Sequence, residues 1–415
     1  MIHIFQILGN PKSYKEKEFV IKDTAKKSHL CSDALRNYLI EKSEDVKLTF
    51  FIPESLLINE NLDDLKEKLN EKGLVDFDLI MIPSVGEYGE IKYVTGIEAI
   101  STTILLHFIK NRPEKFYIDV STGFNIYPIN MLEAVKRYLT YRKLERILQG
   151  DCKVEAFTVF PPPITDAYSY PVETQPIDVK VFFSLPNANI DKIVKRTEHT
   201  SKIAELGKKF GKLKKEFRRM INELTIGMNA IKLNVPLAFY EILDTAIDSK
   251  KVEAELIKYV EELLEPIGEG SKIERLPIDG VNVANMFYSI ALYRSIQEFK
   301  STLNEPEIEE IYKNFSKVYR LSSLGVGVNE YFLERDKEDI KIHAKKLKDG
   351  EKDLLGNIKY GNLRKSLNAK RNFFAHSGFL EECTYVEVSN GKIYISWDKA
   401  KMNEIRKWIL YPEKL

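Results

Sequence analysis

Cysteine is sparse in this chain: Cys31, Cys152 and Cys383 are scattered through 415 residues with no CxxC spacing. That pattern excludes a disulfide framework and a cysteine zinc site, and it suits a reducing compartment. Long hydrophobic runs are also missing, since no stretch stays apolar for the roughly 18 residues of a membrane span. The opening segment, Met1-Ile2-His3-Ile4-Phe5-Gln6-Ile7-Leu8, has neither the basic start nor the small-residue cleavage site of a signal peptide. A soluble, cytoplasmic protein is expected. Net charge is nearly absent, at +1, so any nucleic acid has to be gripped by a local patch and not by the field of the whole molecule. No His/Asp/Glu cluster has metal-ligand spacing, so no metal is expected. There is no internal repeat and no low-complexity tract.

What is present divides in two. Residues 2–8, 46–52, 79–83, 116–120 and 154–160 are short apolar runs ending at turn residues, and helical patterns lie between them at 32–41, 62–72, 97–109 and 127–149. Buried strands alternating with amphipathic helices predict an α/β domain of the Rossmann-like, doubly wound kind. Residues 178–184 read as one further strand, at an antiparallel edge. Beyond a Pro/Thr-rich interruption the pattern changes. Residues 192–219 are densely basic and helix-compatible, either as a solvated connector or as a surface for RNA. Helical periodicity follows at 237–248, 252–264, 281–302, 307–322, 338–348 and 362–376. Two late strands flank Ser389-Asn390-Gly391, whose Asn-Gly predicts a hairpin turn. The expected organisation is an α/β domain over 1–186, a basic helical linker over 187–225 and a helical domain over 226–415.

In an open α/β sheet, ligands bind beyond the carboxyl ends of the strands, where the strand order reverses. Two loops are candidates: Gly9-Asn10-Pro11-Lys12-Ser13-Tyr14 and Ser121-Thr122-Gly123-Phe124-Asn125. Both combine glycine, for close backbone approach, with small polar groups. The second runs into a helix whose free amides favour an anion. The first is not GxGxxG, which weakens a dinucleotide-enzyme reading. A third loop, residues 84–89, is placed to act as a lid or rim.

The catalytic candidates lie near the end of the chain, in Arg371-Asn372-Phe373-Phe374-Ala375-His376-Ser377-Gly378. Gly378 predicts the helix stop. At about 100° per residue, Asn372 and His376 share a face, with Arg371 beside them and the two phenylalanines turned elsewhere. Cleaving RNA without a metal requires a group that titrates near neutrality and a fixed cation for the phosphate, which His and Arg supply. Of the six histidines, only His376 has an arginine five to seven residues upstream.

Taken together, these segments resemble the CARF–HEPN ribonucleases that accompany type III CRISPR systems, in the Csx branch. The loops at Gly9-Asn10-Pro11 to Tyr14 and at residues 119–125 are similar to that branch's nucleotide-sensing motifs, although Thr122 stands where the family often carries His. Arg371-Asn372 followed by His376 matches the HEPN pattern. The resemblance implies a homodimer that binds a cyclic oligoadenylate, with cyclic tetra-adenylate the expected ring, through Gly9, Asn10, Pro11, Ser121, Thr122, Gly123 and Asn125. It also implies a composite site of Arg371, Asn372 and His376 that cuts single-stranded RNA to 2′,3′-cyclic phosphate products with no cofactor. Three other readings stay open. One is a non-catalytic nucleotide-sensing regulator that binds nucleic acid, another is a nucleotide-cofactor enzyme, and the third is a sensor that also cleaves its own activator at Ser121 or Thr122.

Overall fold

The predicted apolar runs pair into one six-stranded sheet. The computed structural model describes residues 1–123, 125–150, 152–162, 168–268, 270–362 and 367–413. Across the sheet the order is Glu173–Ile177, Glu155–Phe160, Lys115–Asp119, Ile2–Ile7, Val46–Pro53, Phe77–Ile82. Every neighbouring pair is parallel except the one at the Glu173–Ile177 edge. The first strand, Ile2–Ile7, is buried at every position, as a strand covered by helices on both faces must be. The chain builds outward from it in one direction and then returns to its other side. The order therefore reverses between Ile2–Ile7 and Lys115–Asp119, where Gln6 stands opposite Asp119. That register sets the two candidate loops side by side.

The edge strand lies earlier than the pattern predicts. Residues 178–184 are irregular, and the antiparallel edge is Glu173–Ile177, with Pro176 opposite Phe157. Proline cannot donate to a ladder, a defect that an edge tolerates and an interior strand does not. Two small sheets carry no alternation strong enough to read from sequence. Lys17–Ile21 pairs with Thr24–Ser28 and with Ser169–Pro171. Gly86–Tyr88 pairs with Ile91–Val94, which in turn pairs with Lys272–Glu274 from the helical half. The expected lid at 84–89 is thus part of a hairpin tied to the rest of the molecule.

The helical half contains Thr200–Lys209, Gly211–Lys232, Ser249–Leu264, Gly280–Ser301, Ile308–Tyr319, Val328–Ala344, Leu355–Tyr360 and Ala369–Ala375. Gly211–Lys232 runs unbroken through position 225. The helix expected at 237–248 shrinks to Ala238–Glu241, and the one expected from 338 starts at Val328. The helix expected over 362–376 begins only at Ala369. Gly361, at φ +76°, closes the preceding helix, and 363–366 lie outside the described residues. The late hairpin forms as predicted, Thr384–Ser389 with Lys392–Trp397. Asn390 and Gly391 both take positive φ, as a type I′ turn requires.

Two cores result. A smaller one lies between the sheet and the helices Cys31–Glu41 and Leu62–Glu71. The larger is continuous from the other sheet face, through Ile97–Asn111 and Ile126–Glu145, into the helical half. At the junction Arg294 donates to Tyr141 Oη (2.7 Å), Glu145 (3.0 Å) and Glu253 (2.8 Å). The basic stretch is partly neutralised by the chain's own acids: Lys209 pairs with Glu262, Lys214 and Arg218 with Asp191, and Arg219 with Asp244. No helix among the described residues is long and apolar enough to cross a membrane.

Candidate functional site

At the point of strand reversal the two loops interlock. Gly9 N–H donates to Tyr14 Oη at 2.7 Å. The Thr122 hydroxyl donates to the Ile7 carbonyl and accepts from Gln6 Nε2, each at 2.7 Å, and Gln6 Oε1 in turn accepts from Ser32. The Thr122 hydroxyl is therefore committed to tying the second loop to the first strand. Asn10 caps the short turn Pro11–Ser13, accepting from Lys12 N–H at 3.0 Å. Asp119 lies buried beneath the second loop and accepts from Ser121 N–H at 2.8 Å. Burial pushes its carboxyl up to about 6 against the opposing hydrogen bonds from Ser121 and the Ser32 backbone.

Two recesses adjoin this pair of loops. One, of about 370 Å³, is lined by Gly9, Asn10, Ser55, Tyr88, Gly123 and Tyr127 among others. The other, of about 310 Å³, is lined by Tyr14, Lys17, His29, Ser121, Thr122 and Tyr170 among others. Lys17 Nζ sits 4.5 Å from the Tyr170 ring centroid, so this second recess presents a cation over an aromatic face. Of the seven ligand candidates, Gly9, Asn10 and Gly123 line the first recess and Ser121 and Thr122 the second. Pro11 is buried at the start of its turn and Asn125 is exposed at the N-cap of Ile126–Glu145, and neither lines these two recesses.

The catalytic candidates occupy the short helix Ala369–Ala375 and its cap. Phe373 anchors that helix, fully buried against Trp397 and Trp408 at ring distances of 5.6 and 5.4 Å. Burying such a side chain contributes about 1.5–3 kcal/mol. The chain turns out of the helix at Ser377, at φ +52°, one residue before the predicted stop, and Gly378, at φ +78°, closes the end through its N–H to the Phe373 carbonyl at 2.9 Å. Its own carbonyl accepts from Trp397 Nε1 at 2.9 Å. His376 departs from the predicted helical geometry. It is the cap residue, with φ −120° and ψ 43°, while its N–H still bonds the Asn372 carbonyl. Arg371 and His376 are exposed and Asn372 is half-buried.

Sequence reasoning missed what lies behind His376. Asp336, from the helix Val328–Ala344, places Oδ1 3.8 Å from His376 Nδ1. The same carboxylate accepts from Ser377 Oγ at 2.6 Å and from Arg335 Nη2 at 2.9 Å. Burial acts to raise Asp336, but His376, Ser377 and Arg335 outweigh it and hold the carboxyl below its ordinary range. Ser377 Oγ accepts in turn from Asn234 Nδ2 at 2.8 Å. No local motif announces these partners. Folding also assembles a cluster that the sequence spacing did not reveal. Glu198, His199 and Glu274 present ligand-type atoms within 4.8 Å of one another, and Lys272 already pairs with Glu274.

Comparison with family models identifies both halves. Residues 3–161 match the CARF domain of the CRISPR system endoribonuclease Csx1, and 326–399 match the HEPN domain of the same endoribonuclease. A search of curated proteins finds no match for the chain. The first match contains the strand reversal and both loops, and the second contains Asp336, Arg371, Asn372 and His376. With an α/β half of one kind and a helical half of the other in a single chain, this protein belongs to the CARF–HEPN CRISPR ribonucleases.

Proposed function

We propose that this chain is an endoribonuclease of type III CRISPR defence, switched on by a cyclic oligoadenylate and cutting single-stranded RNA without a metal. The observation that carries the reading is the helix end bearing Arg371 and His376, exposed, backed by a buried carboxylate, and inside the HEPN match. The imidazole of His376 takes the proton of the 2′-hydroxyl or returns one to the departing 5′-oxygen. The Arg371 guanidinium offsets charge on the phosphorane, and Asn372 orients the phosphate. The products are then a 2′,3′-cyclic phosphate and a 5′-hydroxyl.

One protomer supplies one such histidine, and a two-fold dimer supplies the pair. In support of a homodimer, Val328, Tyr331 and Ile342 form an exposed stripe along the helix Val328–Ala344, with Arg335 between them. This stripe adjoins the candidate site, so a second copy seated there brings its own Arg371 and His376 close.

The two recesses favour the four-nucleotide ring. Each has room for one base, and two protomers around a two-fold axis offer four places in all, matching cyclic tetra-adenylate. Gly9, Asn10 and Gly123 face one base, Ser121 and Thr122 the next. The helix Ile126–Glu145 presents its amino terminus to the phosphates. A protein with this role works in the cytoplasm.

Fluorogenic RNA cleavage in EDTA tests the whole reading, with no activator, cyclic tetra-adenylate or cyclic hexa-adenylate, for wild type and His376→Ala. Stimulation by the four-membered ring alone, abolished by the substitution, is the expected result. RNA that survives both rings at every enzyme concentration overturns the catalytic reading in favour of a nucleotide-sensing regulator.

A further inference from the structure

Two residues other than glycine take positive φ and meet beneath the candidate active site. Asn234, at φ +56°, ends the helix Gly211–Lys232, and Ser377, at φ +52°, follows His376. Such conformations are unfavourable for residues with a Cβ and persist only where their surroundings hold them. Here the two are joined side chain to side chain. The Asn234 amide donates to Ser377 Oγ, whose hydroxyl proton goes to Asp336 Oδ2. All three side chains are buried, at 5%, 1% and 6% exposure. The other carboxylate oxygen, Oδ1, is shared between Arg335 and His376 Nδ1.

At 3.8 Å the Asp336–His376 contact is too long for a hydrogen bond, and a shift of about 1 Å closes it. We propose that Asp336 is a positioning residue for His376, accepting from Nδ1–H so that Nε2 is the nitrogen that exchanges protons with RNA. The Ser377–Asn234 link makes that contact depend on where the helix Gly211–Lys232 ends. This helix packs closely on Gly280–Ser301: a Cβ on Gly227 would stand 2.9 Å from Ile296. Gly280–Ser301 in turn meets the sensor half through Arg137, which donates to the Gly280 carbonyl at 3.1 Å. A displacement of the helix Ile126–Glu145, which carries Arg137, thus has a packed route to Asp336. The proposal rests on the ribonuclease reading above.

The test uses the full-length chain with cyclic tetra-adenylate and RNA, comparing wild type, His376→Ala, Asp336→Asn and Asn234→Ala. Asp336→Asn is expected to lower kcat on the order of a hundredfold with KM nearly unchanged, less than the about 10⁴ lost to a wrong tautomer where the carboxylate is in full contact with the imidazole. Asn234→Ala is expected to lower kcat severalfold, again with KM unchanged. Nitrogen-15 NMR at a pH where His376 is neutral supplies a readout that a purely structural role does not move. Nδ1–H is expected in wild type and Nε2–H in Asp336→Asn. Full activity of Asp336→Asn beside an inactive His376→Ala overturns the positioning role and leaves the ribonuclease reading standing. Activity retained by His376→Ala sinks that reading, while the tautomer measurement still decides whether Asp336 holds the ring. Should Asp336→Asn not fold, wild-type kcat in Asn234→Ala, or an Nε2–H tautomer in wild type, overturns the proposal.

Discussion

Gly9 and Gly123 meet backbone to backbone across the point where the strand order reverses: a Cβ on Gly9 would stand 3.6 Å from the Gly123 nitrogen and 3.9 Å from its Cα. These are ordinary contacts, so Gly9→Ala is expected to fold with wild-type stability while crowding the recess it lines. Half-activation then needs on the order of tenfold more cyclic oligoadenylate, a loss of about 1.4 kcal/mol. Gly123, at φ +92°, behaves differently. Its replacement by alanine costs about 1–2 kcal/mol in urea denaturation. Equal stability losses at the two positions would show that backbone conformation is not what separates them.

His376→Ala and Arg371→Ala are expected to abolish cleavage without unfolding the chain, because both side chains are exposed. Rates should fall by about 10²–10⁴, with stability within about 0.5 kcal/mol of wild type. Steady-state cleavage assays paired with thermal melts separate the two effects. A variant that loses stability and activity in proportion would assign these residues to folding.

Gly378→Ala is expected to destabilise the helical half strongly. The new Cβ would stand 2.7 Å from Cγ1 of the buried Val235 and would sit on a residue at φ +78°. Strain and overpacking together cost about 2–5 kcal/mol. Chemical denaturation measures it, and a loss under 0.5 kcal/mol (by the scale of ordinary surface changes) would mean that the Val235 turn yields.

Asp119 makes stability depend on pH. Its carboxyl is raised by burial to about 6 in the folded chain, above its ordinary 3.8, so its favourable contribution is complete below about pH 4 and is lost as pH rises through 6. Asp119→Asn removes the buried charge and keeps an oxygen for Ser121 N–H. This variant should therefore melt higher than wild type at pH 7.5, with a gain of up to about 3 kcal/mol that vanishes near pH 4. A gain that is constant with pH would exclude ionisation of Asp119 as its cause.

Removing Arg294 should be costly at the junction of the two halves. Arg294→Met leaves a buried cluster in which Arg112 must serve both Glu253, at 3.8 Å, and Glu145, which keeps Arg142 as well. The expected loss is about 3 kcal/mol by denaturant titration. A near-neutral result would show that water, Arg112 or Arg142 takes over the charge.

Features held within a few neighbouring residues were legible in the sequence. The strands ending at Ile7, Asp119 and Phe160 follow from apolar runs closed by turn residues. The end of the helix near Gly378 and Asn390-Gly391 as a hairpin turn follow from backbone conformations that few residue types accept. The catalytic candidates were visible for the same reason, since Arg371 and His376 lie within one short stretch of chain. Where local preference was weak, the reading drifted: the edge strand fell on Glu173–Ile177 despite Pro176, because only its neighbour Glu155–Phe160 makes that segment a strand.

Tertiary structure decided which distant segments meet. Gln6 stands opposite Asp119 because of strand order, and that juxtaposition turns two glycine loops into a lined crevice. Asp336 reaches His376, and Asn234 reaches the adjacent Ser377, only because the helices Val328–Ala344 and Gly211–Lys232 are brought to that turn by folding, a packing that no spacing in the sequence encodes. The basic run at 208–219 has four of its seven cations paired with Asp191, Asp244 and Glu262, acids brought to it by folding. Local periodicity records the conformation of each segment, whereas contacts between segments depend on the shape and volume of the whole core, which is why the sequence named the catalytic histidine candidate and only the fold supplied its carboxylate.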